Sequence, residues 1–135
     1  MLAAAGCAGD DATRVTLTGD DCAYDGPESV DAGTASFDIE NESDETGVFE
    51  LVRIDPTSTA DELEAYVLAE QARIDEGGAT QGTPAFVTVV VQLEVDPGEV
   101  SVLTAGLAAD TYAILCSNGT PPTAIHVAEP FEVTS

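Results

Sequence analysis

The sequence predicts an all-β fold, a sandwich of two packed sheets, interrupted by one inserted α-helix. Three observations carry this. Seven or so short runs of alternating or β-branched residues are separated by turn residues. In one stretch only, about residues 60–75, the apolar period changes from two to that of a helix. A chain of 135 residues, 44% of them apolar, is long enough to bury one core. Trp is absent and aromatics make up 5%, so Val, Leu, Ile and Ala must supply most of that core.

Residues 1–12 read as a leader remnant and acidic tether, and 13–135 as the folded domain. Arg14-Val15-Thr16-Leu17-Thr18 alternates polar and apolar, as a half-buried strand does, before Gly19-Asp20-Asp21 breaks it. Pro27 to Val30 is a short second run, closed by the turn residues Asp31-Ala32-Gly33. Thr34 to Asn41 alternates again, with Ala35, Phe37 and Ile39 on one face, and 41–47 is an acidic loop. In Val48 to Ile54, Val48, Glu50, Val52 and Ile54 share one face and Phe49 and Leu51 the other, a mixture that predicts burial on part of both faces.

The helix is announced by its start. Thr59 followed by Glu62 matches a capping box, with Ser58 and Asp61 as a second register. Asp61, Glu62 and Glu64 lie in the first turn, where they complement the helix dipole. Leu63, Val67 and Ile74, with Tyr66, form the apolar stripe, and Gly77-Gly78 ends it. After a polar Gly/Pro linker, Phe86 to Val95 is strongly β-forming, Asp96-Pro97-Gly98 turns the chain, and Glu99 to Leu103 is a further strand. Thr111 to Cys116, a loop at 117–123 and a last strand at 131–134 complete the pattern.

Charge excludes several functions. With 26 acidic residues, three arginines (Arg14, Arg53, Arg73) and no lysine, the net charge is −23. Such a chain repels phosphate backbones and anionic membrane surfaces, so nucleic-acid binding is not expected. The charge also repels itself, leaving two readings open: adaptation to salty surroundings, or a plainly soluble extracellular surface. No segment carries 18 uninterrupted apolar residues. Small residues ending in Gly6-Cys7 resemble a bacterial lipobox, without the usual basic and long apolar regions before it, which makes Cys7 a lipidation candidate. Cys22 and Cys116 remain, either as a disulfide of an exported protein or as a metal ligand (Cys116) with a buried thiol (Cys22).

Three pieces, in this order and spacing, make the chain resemble the cupredoxins, the plastocyanin-type domains, over about residues 13–135. They are Val30-Asp-Ala-Gly33-Thr-Ala-Ser-Phe37-Asp-Ile-Glu-Asn41, Leu107-Ala-Ala-Asp-Thr-Tyr112-Ala-Ile-Leu-Cys116 and Phe131-Glu-Val133. It is similar in particular to exported bacterial domains with a helical insert. The resemblance implies a Greek-key sandwich and, in copper-binding members, a site of two imidazoles, one thiolate and a weak axial Met. The thiolate position matches Cys116. The stretch after Asn41 has no His, and Gly119, Thr120 and Pro121 stand where a second His follows the Cys. His126 comes ten residues after Cys116, Pro130 and Phe131 occupy the Met position, and Met1 is the chain's only Met. At most Cys116 and His126 survive, too few for a blue-copper site. His126 is then a leftover ligand or an ordinary loop or strand-edge histidine, and the topology favours a Cys22–Cys116 disulfide.

The remaining constellations are weak. Asp20-Asp21, residues 40–45 and Asp75-Glu76 offer hard oxygen ligands, but no calcium-loop pattern is present and solvated acidic loops are the expectation. No Ser/His/Asp motif, glycine-rich phosphate loop or singled-out carboxylate pair appears. The expected function is a non-enzymatic, lipid-anchored or secreted binding or structural module, extracytoplasmic and without cofactor. Its partner would be a protein or small molecule at the cell surface, and its only membrane contact a lipid at Cys7. The alternative is an electron-transfer or copper-handling protein with a degenerate Cys116/His126 site.

Overall fold

The computed structural model describes residues 13–135; Cys7 and the 1–12 tether lie outside the described residues. The described chain runs β1 (Thr13–Leu17), β2 (Cys22–Asp25), β3 (Ser29–Asp31), β4 (Gly33–Asn41), β5 (Gly47–Ile54), α1 (Ala60–Asp75), β6 (Val87–Val95), β7 (Val100–Leu107), β8 (Asp110–Asn118), β9 (Ala124–Val127) and β10 (Phe131–Thr134). Two sheets face each other. One has the order β3-β10-β8-β5-β6, with β9 also paired to β8; the other has the order β2-β1-β4-β7. The pairs β3/β10 and β1/β4 are parallel and the rest antiparallel. Among the described residues, no helix is long and apolar enough to cross a membrane.

The alternation seen in the sequence sets the inner faces. Val15 and Leu17 of β1, Phe37 and Ile39 of β4, and Phe49 and Leu51 of β5 all enter the core between the sheets. Four of the seven aromatics cluster within it. Phe131 stacks with Tyr24 at 5.1 Å and with Tyr112 at 5.9 Å, and tilts against Phe37 at 5.6 Å. The two phenols satisfy their polar ends locally: Tyr24 donates to the Pro27 carbonyl (2.6 Å) and Tyr112 to that of Ala108 (2.8 Å).

The two-faced reading of β5 holds. Phe49 and Leu51 point between the sheets, while Val52 and Ile54 point outward and are buried with Leu63 and Val67 of α1. The helix therefore acts as a third layer on the outside of one sheet. Its capping box forms as the sequence predicts. The Thr59 hydroxyl accepts from the Glu62 amide (3.2 Å), and the Glu62 carboxylate accepts from the Thr59 amide (2.9 Å). At the other end Gly77 takes φ +86°, where only glycine is unstrained, and its amide closes on the Ile74 carbonyl at 2.9 Å.

Two strands lie where the sequence predicts none. Cys22–Asp25, which the sequence pattern does not announce after the Gly19 break, alternates Cys22 and Tyr24 inward and pairs with β1. Ala124–Val127, to which the sequence pattern assigns no element, pairs with the end of β8, so His126 stands on a strand. The strand predicted at 99–103 continues to Leu107, where it follows the whole length of β4. The Val89-Val90-Val91 run contains a register shift against β5: Leu51 faces Val91 and Val52 faces Val89.

Candidate functional site

Cys116 sits near the end of β8, in the middle of three strands: Phe49 of β5 is its partner on one side and His126 of β9 on the other. Its side chain points into the core, where Cys22, from the edge strand of the facing sheet, meets it. The two form a disulfide with Cα atoms 6.3 Å apart, within the span a bridge can close. Both cysteines are buried. The bond staples the two sheets together at the pole where the resemblance places a metal thiolate; of the two alternatives the sequence leaves open, it is the disulfide that forms, not a Cys116 ligand beside a buried Cys22 thiol.

His126 is brought beside Cys116 by strand pairing, but its ring is engaged elsewhere. Its Nε2 lies 3.0 Å from Oδ1 of Asn118. Because the Asn118 amide nitrogen donates to the Thr18 carbonyl (3.1 Å), its oxygen is the acceptor and His126 Nε2 carries the proton. Partial burial lowers the affinity of the imidazole for a second proton, and the carboxylates of Asp21 and Asp20 only partly oppose this. His126 is therefore biased towards its neutral form, and its ring ties β9 to β8.

The 41–47 loop, where a first imidazole would be expected, is built from amide and hydroxyl groups that satisfy one another. Asn41 is fully buried. Its amide nitrogen donates to the carbonyls of Val95 and Glu45, both at 2.8 Å, and its oxygen accepts from the Ser43 amide (2.9 Å) and hydroxyl (2.7 Å). The Glu45 carboxylate accepts from the Thr123 hydroxyl at 3.2 Å, which ties this loop to the one after Cys116. Gly119 makes that approach possible: it takes φ +88°, and any β-carbon there would collide with Glu45.

These residues do not fit copper. The sulfur of Cys116 is bonded to Cys22, the protonated nitrogen of His126 faces an amide oxygen, and no methionine lies within residues 13–135. Among the described residues, no three His, Cys, Asp or Glu side chains are grouped to hold a metal ion.

A second locus went unremarked in the sequence. On the outer face of the same sheet, beside the middle of α1, lies a cleft with a volume of about 220 Å³. Its floor comes from Val48 and Glu50 of β5 and their register partners Ser117 and Leu115 of β8. Tyr66, Val67 and Glu70 of α1 form one wall and residues 82–84 the rim. The wall and rim are fixed by hydrogen bonds. Tyr66 donates to the Gly82 carbonyl (2.7 Å), and the buried Glu70 carboxylate accepts from the Gln81 amide (2.6 Å) and Arg73 Nε (2.8 Å). Burial alone would raise the Glu70 pKa, but these hydrogen bonds outweigh it and hold the group below the ordinary value. Gln71 accepts from the Ile125 amide (2.8 Å), fastening the helix to β9. The one signal in the sequence was Glu50 itself, an acid on a strand face otherwise made of Val48, Val52 and Ile54.

No family model matches the sequence, and no curated protein matches it. Solved structures do. Dithionite-reduced auracyanin from the photosynthetic bacterium Roseiflexus castenholzii is 16% identical, with 93% of this chain and 98% of that one covered, at a TM-score of 0.50. Auracyanin A from Chloroflexus aurantiacus, described as a "blue" copper protein, is 17% identical over 91% and 99% of the two chains, with a TM-score of 0.47. An azurin of Methylomonas sp. strain J is 13% identical over 97% and 100%, with a TM-score of 0.44. At these identities the likeness concerns the fold, and the first comparison carries it: this chain has a cupredoxin-like fold. It is a cupredoxin-like sandwich whose candidate thiolate is closed in a disulfide. Such a bridge belongs to an oxidising, extracytoplasmic compartment.

Proposed function

We propose that this chain is a copper-free binding or structural module of the cell surface, non-enzymatic, and anchored through a lipid on Cys7 or secreted. The observation that carries this reading is the Cys22–Cys116 bridge. A blue-copper centre depends on a thiolate, and a sulfur already bonded to sulfur has none to give. The hydrogen bonds of Asn41, Ser43, Glu45, Asn118 and His126 support it further: the loops that would cage a metal are instead fastened to one another. The acidic surface suits a soluble extracytoplasmic domain.

A second reading has one observation in its favour. His126 and Cys116 are cross-strand partners, so reduction of the bridge would free a thiol next to an imidazole. That would be a degenerate copper-handling or electron-transfer site. Titration of Cu(II) into the oxidised protein and into the reduced protein separates the two. The first reading expects no intense blue charge-transfer band in either state. Such a band in the reduced protein establishes the second reading, and in the oxidised protein it removes the first altogether.

A further inference from the structure

Glu50 is a half-buried carboxylate with no ion-pair partner among the described residues. It is half-buried at the floor of the outer cleft, between Val48 and Val52 on its own strand and beside Leu115 on the next. Burial raises its pKa, the mark of a carboxylate that has lost water without gaining a counter-charge. Among the described residues, none forms an ion pair with it. There is no lysine, and all three arginines are paired with other carboxylates: Arg14 with Glu40 at 3.1 Å, Arg53 with Asp110 at 3.7 Å and Arg73 with Glu70, in the cleft wall, at 2.8 Å. His126, which also lines the cleft, is biased towards its neutral form.

We propose that the cleft between α1 and the outer sheet face binds a small organic ammonium ion, its charge on Glu50 and its hydrocarbon body against Val48, Leu115 and Ile125. The cleft and its walls decide this class. A divalent metal needs several hard donors, and no such group is assembled among the described residues. An anion would face Glu50 and a net charge of −23. A neutral apolar molecule would strip Glu50 of its remaining water without replacing it. A volume of about 220 Å³ holds a molecule displacing roughly seven waters. The ring of Tyr66, whose hydroxyl is committed to Gly82, adds an aromatic wall, which favours cations. Hydrogen bonds from Tyr66, Glu70 and Gln71 fix the walls in advance, so little ordering is spent on binding.

The proposal rests on the binding-module reading and names its ligand class. The two fail separately: copper uptake would sink the module and leave the cleft to be tested, whereas a silent cleft leaves the Cys116 bridge intact. The experiment is a titration of isotopically labelled protein with n-butylammonium and with its neutral isostere 1-butanol, in 0.5 M NaCl to screen diffuse attraction to the acidic surface. The expected result is saturable shifts of the Val48, Leu115 and Ile125 methyl resonances with n-butylammonium, at least tenfold weaker binding of 1-butanol, and loss of that preference in Glu50→Gln. Glu132→Gln, an acid removed from another part of the same sheet, should leave the preference intact, and both variants should melt cooperatively. Equal affinity for the two probes, no saturable shift at those methyls, or an unchanged preference in folded Glu50→Gln overturns the proposal.

Discussion

Replacing both Cys22 and Cys116 by Ala removes the staple between the sheets, and its cost can be worked from the connectivity. The bridge joins residues 94 apart in sequence. In the chain-entropy account, a cross-link over a loop of that size removes denatured-state freedom worth about 4.7 kcal/mol at 25 °C. For a domain of roughly 120 residues, with an unfolding entropy near 2.1 cal/mol/K per residue, this lowers Tm by about 18 °C. Urea melts carry a second signature. An unfolded chain freed of its cross-link exposes more surface, so the m-value should rise as the midpoint falls. Wild-type protein melted in excess reductant should follow the double variant. A loss below about 1 kcal/mol, with m unchanged and reductant without effect, would refute the bridge as the element that fastens β2 to β8.

Three further outcomes follow from the same structure. Asn41→Ala leaves the Val95 and Glu45 carbonyls and Ser43 without their buried partner and should cost about 3 kcal/mol; Asn41→Asp, which cannot donate to either carbonyl, should do no better in a urea melt. Glu50 holds its proton longer in the folded than in the unfolded state, so its contribution falls as pH rises through the folded pKa, above the ordinary carboxyl value. Glu50→Gln should therefore be more stable than wild type at pH 7 and lose that advantage at acid pH; a difference of the opposite sign in melts against pH would contradict this. With a net charge of −23, Tm should rise as NaCl goes from about 0.05 to 1 M, where the screening length falls to about 3 Å; a flat or falling curve would remove self-repulsion from the account.

What could be read from the sequence followed short-range rules. The Thr59/Glu62 box and the Gly77 stop are local signals, and the helix lies between them. The mixed pattern of β5 was legible because period two assigns each residue to a face, and both faces did turn out to be covered. The strands that were missed, Cys22–Asp25 and Ala124–Val127, have four residues each, too few for a period to declare itself. Their structure comes from partners far away or from another layer: β9 is held by β8 on one edge and by Gln71 of the helix on the other. Pairing of Cys22 with Cys116 needed the order of strands, which resemblance supplied and composition did not. The outer cleft was invisible for a different reason. It lies where Tyr66, Val67 and Glu70 of α1 stand over Val48 and Glu50 without filling the space between, and no residue type announces where a helix will lie on a sheet.

Everything functional depends on the state of one sulfur atom. The sequence provides a clean way to read it, because trypsin cuts only after Arg14, Arg53 and Arg73 and so puts Cys7, Cys22 and Cys116 in three different peptides. A non-reducing digest of the native protein, alkylated before unfolding is complete and again after, should yield peptides 15–53 and 74–135 as one linked species that separates on reduction. Recovery of the two peptides apart, each with an alkylated cysteine, would show Cys116 to be a free thiol and reopen the metal site.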